Sequence, residues 1–414
     1  MTSMLYNGRN VTLISPRRLG KTGLIWNTFH QIKSENKDAI CIYIDIFPTK
    51  NQSEFVRMLG SAVLNETLSK SKMLGKKMLE MLGSLRPVLG MDALTGMPNV
   101  TLNVDPTQSE MTIRSIFTYL NKIQKEVFIA IDEFQQINEY PESGTEAMLR
   151  SYIQFSHNIH FIFSGSRKHL MSEMFASPKR PFYQSTDMMN LAPLDEETYY
   201  QFANCFFEAK KGVLEREVFH ELYDTYDGYT WYIQSVLNRL YEKFKTVSSS
   251  AQLRETILNV VESKAPQYES IVSFLTENQF SLLRAVAKEG LVEQPMSKEF
   301  IKKHGLPGAS SVKTALEVLN DKELLYQHSQ CVAHLPGCGA VLPDQAGKAG
   351  CQCQRHAVLH RYCPADHRLD GALPLHRVHW LQSARHWHCH FCGFADWLLP
   401  ACRSGLFSQG PQGL

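Results

Sequence analysis

Cysteine is scarce through most of this chain: of ten in 414 residues, only Cys41 and Cys205 precede Gln327. That excludes a disulfide-built scaffold for the body of the protein and fits a reduced compartment. Long apolar runs are lacking too. No stretch approaches the roughly 18 apolar residues of a membrane span, and the opening "MTSMLYNGRNVTLIS" has no signal-type apolar core. The expectation is a cytoplasmic protein without a membrane partner. Excess charge is also missing, with 43 basic against 41 acidic residues, so nucleic acid would have to be met by a local patch.

The end of the chain lacks different residues. From 328 to 414 there is no Glu, Ile, Asn, Met or Thr and one lysine, Lys348, whereas eight of the ten cysteines and ten of the 16 histidines fall there. Composition thus separates a body, 1–327, from a tail, 328–414. "HWHCHFC" sets Cys389 and Cys392 at C-x-x-C spacing beside His386, His388 and His390, which suggests a zinc module. Against zinc, Cys331, Cys338, Cys351, Cys353 and Cys363 follow no repeated spacing. The joint absences suggest instead GC-rich DNA read in an unintended frame, or a joined foreign sequence. On that reading the tail is not a folded domain, since it has no apolar periodicity with which to bury a core.

The body has an α/β pattern. "NVTLIS", "AICIYIDIF", "VFIAID" and "IHFIFSGS" read as strands, and the segments between them space apolar residues by three and four as helices do. This predicts a three-layer core, a parallel sheet with ligands at the carboxyl ends of its strands. "LRPVLGMDALTGMPNVTLNVDP" reads as an inserted hairpin. Past residue 195 the strand signals stop and "DEETYYQFANCFFEA", "EREVFHELYDTY" and "TWYIQSVLNRLYEKF" follow as helices. A last unit begins with the capping box of Thr276 and Gln279 and holds three short helices, the spacing of a winged helix. The expected domains are a core over 1–193, a helical lid over 194–265, a winged helix over 266–327 with its wing missing or altered, and the tail.

"SPRRLGKT" follows the first strand and opens a helix. It matches a phosphate loop except that Ser15 replaces the first glycine of G-x-x-x-x-G-K-[ST]. Such a loop aims backbone N–H groups and a helix N-terminus at an anion. Ser15, Pro16, Arg17, Arg18, Leu19, Gly20, Lys21 and Thr22 are therefore the candidate binders of ATP, with Lys21 on the outer phosphates and Thr22 on Mg²⁺. Ser15 is small enough for a turn that asks nothing of its side chain, and Pro16 loses an N–H where the chain bends. "VFIAIDEF" supplies the other half: Asp132 to hold Mg²⁺ through water and Glu133 to polarise an attacking water. Ser166, ending the fourth strand, reads equally as a contact to the γ-phosphate or the attacking water, or as a helix N-cap. Arg180 reads as a surface residue or as an arginine finger reaching a neighbouring subunit, which would require a homo-oligomer.

In combination, "SPRRLGKT", "AIDEFQQI", "FSGSRKHLM", "LAPLDEETYYQF" and "DGYTWYIQ" resemble the AAA-like P-loop ATPases often called the predicted archaeal ATPase family, which also occurs in bacteria. The resemblance spans residues 8 to 327. It implies a five-stranded ATPase core with the fourth strand between the loop strand and the Asp-Glu strand, a lid carrying Gly228 and Trp231 near its nucleotide-facing helix, and a winged helix. Members of that family carry a longer segment ahead of the loop that helps hold adenine, so the chain, with Met1 only 14 residues before Ser15, is expected to be truncated there. The pattern of the wing breaks off after "DKELLYQ". The third helix of this unit, "ASSVKTALEVLNDKE", sets Lys313 and Lys322 against Glu317, Asp321 and Glu323, so DNA is weakly supported and a protein or intramolecular contact is expected. Two functions follow: an ATPase that moves its lid and winged helix, or a nucleotide-gated switch with little hydrolysis.

Overall fold

The computed structural model describes residues 1–82, 86–91, 98–322, 324–328 and 331–334. Ten strands occur among them: β1 (Val11–Ile14), β2 (Ile40–Asp45), β3 (Arg86–Met91), β4 (Pro98–Asn103), β5 (Val127–Asp132), β6 (Ile159–Gly165), β7 (Asp187–Asn190), β8 (Leu291–Val292), β9 (Leu325–His328) and β10 (Cys331–His334). Five form one sheet in the order β2-β5-β6-β1-β7. All its pairings are parallel. Every residue of β1, β5 and β6 is buried, as a sheet covered on both faces requires. The apolar runs of the sequence are these central strands, and β6 lies between β1 and β5 as the resemblance implies.

The order of strands puts the ends of β1, β5 and β6 side by side. Ile14 pairs with Gly165, and Asp45 with Asp132. The loop after β1, the carboxylates after β5 and the serine after β6 therefore converge on one edge. Val11, Leu13, Phe128, Ala130 and Ile162 pack with Ile25, Phe29 and Ile32 of the Lys21–Glu35 helix. At about 1.5–3 kcal/mol for each large apolar side chain removed from water, that contact fixes the helix behind the loop. The β3–β4 hairpin stands where the sequence places it.

The lid comprises helices Glu196–Ala209, Arg216–Thr225 and Thr230–Lys243, and the first half of Ser250–Ser273. The last is a single helix of 24 residues that continues past residue 265. Its buried residues are Leu253, Thr256, Ile257 and Val260, in the lid; the part beyond carries Pro266 inside the helix. Gly228 turns the chain into the Thr230 helix at φ 70°, where a Cβ would come within 2.6 Å of Pro193.

In the last unit the helices Glu277–Glu289, Lys298–His304 and Ala309–Asp321 enclose Leu282, Val286, Val312, Leu316 and Leu319. The capping box of Thr276 with Gln279 is formed. Strands stand where a wing missing or altered is expected. β9 and β10 pair antiparallel, β10 also pairs with β8, and the sheet order is β8-β10-β9. This sheet crosses the boundary drawn after Gln327, so residues up to His334 belong to the winged helix. The cysteines and histidines of the tail beyond it, and with them the zinc reading, lie outside the described residues. Among the described residues no helix is long and apolar enough to cross a membrane.

Candidate nucleotide site

The loop from Ser15 to Gly20 turns through two left-handed residues, Arg18 at φ 71° and Gly20 at φ 99°. Alternation of this kind turns successive N–H groups into a concave anion nest. Gly20 serves as N-cap of the Lys21–Glu35 helix, and nothing lies within 4 Å of where its Cβ would stand. The glycine is needed for its backbone angle, and the space before it is open. Ser15 is buried; its N–H donates to Gly165 O (3.3 Å) and its hydroxyl to Pro16 O (2.9 Å). Its side chain thus folds into the turn, which is how serine replaces the expected glycine. Lys21 is buried as well, and its ammonium donates to Ser15 O at 3.0 Å, across the mouth of the loop.

Asp132 ends β5 and is buried. Its Oδ2 accepts from Thr22 Oγ1 at 3.1 Å and from Tyr43 Oη at 2.9 Å, while Oδ1 accepts the Glu133 N–H at 3.0 Å. Burial and the Asp132 carboxylate push the Tyr43 phenol well above its ordinary pKa, so it remains a donor. Glu133 sits at φ 54°, a left-handed backbone that a non-glycine residue adopts at a cost of about 1 kcal/mol or more. Its Oε2 accepts from Ser166 Oγ at 2.9 Å and from Gln135 Nε2. Ser166 is therefore not a helix cap: Arg167 holds the N-cap position of the Lys168–Ala176 helix, without a side-chain bond. Gln135 is buried, and its Oε1 has no partner among the described residues.

The arginines part company. Arg18 turns away from the loop mouth, donates to Tyr232 Oη, and lies over the Trp231 ring at 4.8 Å. Its carbonyl accepts the Trp231 N–H at 3.1 Å, Leu19 O accepts from Thr230 Oγ1 at 3.4 Å, and the Leu19 side chain is part of the lid core. Lys264 of the long helix also stands over Trp231, at 4.0 Å; burial, with Arg18 and Arg239 nearby, lowers its pKa to about 8. Arg17 lies over Phe47, 5.5 Å from the ring centre. Arg180 is not brought to the loop. It pairs with Glu146 at 2.8 Å and Glu173 at 3.5 Å and donates to Asn138.

The arrangement fits Mg²⁺. Among the described residues no cluster of three or more His, Cys, Asp or Glu could hold a metal, but Mg²⁺ takes one or two protein oxygens beside phosphates and waters. Thr22 and Asp132, already in contact, are the residues that would hold it. Sequence reasoning missed Tyr43 and Gln135. Tyr43 left no signal, because its partner lies 89 residues away; Gln135, two residues beyond Glu133, could have been found from a turn that bends back on itself.

A phosphate-type loop between the strand β1 and its helix, with β6 set between it and the Asp-Glu strand, defines a P-loop NTPase. The chain belongs to the ATPase family whose domain is predominantly from Archaea: the family model matches residues 7–236, and a model of a probable winged helix domain matches 266–333. A Walker-type ATPase of Pyrococcus abyssi is similar in structure at TM-score 0.56 and 15% identity, over 81% of this chain and 91% of that one. The ORC2 protein of Aeropyrum pernix, in ADPNP-ADP complexes, is similar at TM-score 0.51 and 14% identity, over 81% and 87%. No curated protein matches.

Proposed function

We propose that the protein binds ATP with Mg²⁺ in the Ser15–Thr22 loop, hydrolyses it, and couples the cycle to movement of lid and winged helix. The observation that carries this reading is Glu133, held beside Asp132 with one oxygen engaged by Ser166 and Gln135. Bound Mg²⁺ would neutralise charge on the β- and γ-oxygens. Lys21 exchanges the Ser15 carbonyl for phosphate, and Thr22 and Asp132 hold the cation, the latter through water. Ser166 and Gln135 fix Oε2 of Glu133, which leaves Oε1 to accept a proton from water. Arg18, bonded to the lid, supports coupling to it, and the Ser250–Ser273 helix is the element that would carry movement onward.

The reading as a slow switch is favoured by Arg180, which within the chain is engaged by Glu146 and Glu173. Under either reading the winged helix is assigned a protein or intramolecular contact in the cytoplasm, with DNA as the alternative partner. Calorimetry and a phosphate-release assay test the proposal together. Lys21→Ala should abolish measurable ATP binding, whereas Glu133→Gln should bind ATP but turn it over about 10²-fold more slowly, as for a lost general base. Unaltered binding in the first variant would remove the assigned site. Equal turnover in the second would remove Glu133 as base, and no turnover in wild type would leave the switch.

A further inference from the structure

Glu133 has a left-handed backbone, and the short turn that follows, the six-residue 3₁₀ helix Phe134–Glu139, carries the residue that steers its side chain. Such a turn has poor hydrogen-bond geometry of its own, so its place depends on what grips it. Phe134 anchors one end among Phe163, Phe175 and Phe182. Asn138 grips the other: its Nδ2 donates to Gln135 O at 3.1 Å, and its Oδ1 accepts from Arg180. A guanidinium only donates. Arg180 therefore dictates which end of the amide faces it, and leaves the NH₂ group for the Gln135 carbonyl. Arg180 is itself fixed by Glu146 and Glu173. From the backbone so held, the buried Gln135 side chain lies against Gly165, where a Cβ would come within 2.4 Å of its Oε1, and its Nε2 donates to Glu133 Oε2.

We propose that Asn138, its amide oriented by Arg180 of the same chain, is a positioning residue for Glu133. The inference rests on the hydrolytic reading above. Oε2 of Glu133 has about two lone-pair sites, and the Ser166 hydroxyl and the Gln135 amide fill both. That leaves Oε1 for the water only while both donors stay in place. Ser166 follows directly on β6 and is held with the sheet. Gln135 is held by its turn, and the Asn138 amide is what binds its carbonyl. Losing that donor frees the Gln135 backbone and lets its side chain leave Oε2. ATP binding, which uses the Ser15–Thr22 loop, is untouched.

ATP affinity by calorimetry and turnover by phosphate release, both on the full-length chain with Mg²⁺, test this. Asn138 is exposed, so replacing it opens no cavity in the core. Asn138→Ala should bind ATP as wild type does and lower kcat by about 5-fold, the worth of one hydrogen bond, with KM unchanged. Asn138→Asp keeps an acceptor for Arg180 but has no hydrogen for the Gln135 carbonyl, and should lose as much. Gln135→Ala should also slow turnover, and adding Asn138→Ala to it should cost nothing more, because Asn138 acts through that side chain. Wild-type turnover in Asn138→Ala or in Asn138→Asp overturns the inference, as do losses that add in the double variant; each leaves Glu133 standing as the base. A wild type that binds ATP without turning it over, or a Glu133→Gln variant as fast as wild type, overturns the hydrolytic reading and this one together.

Discussion

Arg180 shows what a single side chain can be asked to do. Burial holds the Glu146 carboxyl above the usual carboxylate range even with Arg180 beside it. Their side chains are 13% and 24% exposed, and Glu146 Oε1 and Arg180 Nε lack partners among the described residues. The pair is therefore one whose breaking strands a buried charge. Arg180→Ala should destabilise the chain by about 2 kcal/mol near neutral pH, seen as a lower Tm. A carboxyl with a raised folded-state pKa favours folding when protonated, and that contribution is lost as pH rises through the folded value. The penalty of Arg180→Ala should accordingly shrink as pH falls toward the carboxylate range, where Glu146 takes up a proton and needs no partner. A pH-independent penalty would show that packing, not charge, is what Arg180 contributes.

Among the elements, legibility followed burial. β5 and β6 are buried along their length and stand out as apolar runs. β7 is four residues, Asp187–Asn190, alternately half-buried and exposed at the edge of the sheet, and its "DMMN" gives no strand signal. The Ser250–Ser273 helix was missed for a related reason. Only its first turns reach a core, so most of its surface is polar, although the capping box of Ser249 and Gln252 could have announced it. The loop and the carboxylates were legible because their chemistry is local in sequence; the Tyr43 and lid contacts were not, because only the tertiary fold creates them. Pro266 belongs to this scale. It is exposed inside the helix, where it removes a backbone hydrogen bond and crowds the preceding turn. Pro266→Ala should raise stability by about 1 kcal/mol, read from the midpoint of a denaturant titration. A loss instead would mean that the proline ring itself is needed by what packs around it.

For the whole molecule, the boundary after Gln327 and the wing found in the structure make opposite forecasts. A chain ending at Gln327 loses β10, the strand between β8 and β9. It should melt at lower temperature than a chain ending at His334. Equal melting would mean that the hairpin adds nothing to the winged helix. The loop itself belongs to two cooperative units at once: its carbonyls at Arg18 and Leu19 accept bonds from Trp231 and Thr230, and Leu19 is buried among lid side chains. A movement of the lid would therefore have to break these two bonds and the Leu19 contact or carry the loop with it, so that the two are linked in free energy. Amide exchange at Trp231 would thus follow occupancy of a pocket that its side chain need not touch, and any ligand that slows that exchange must bind more tightly to a chain whose lid is already closed.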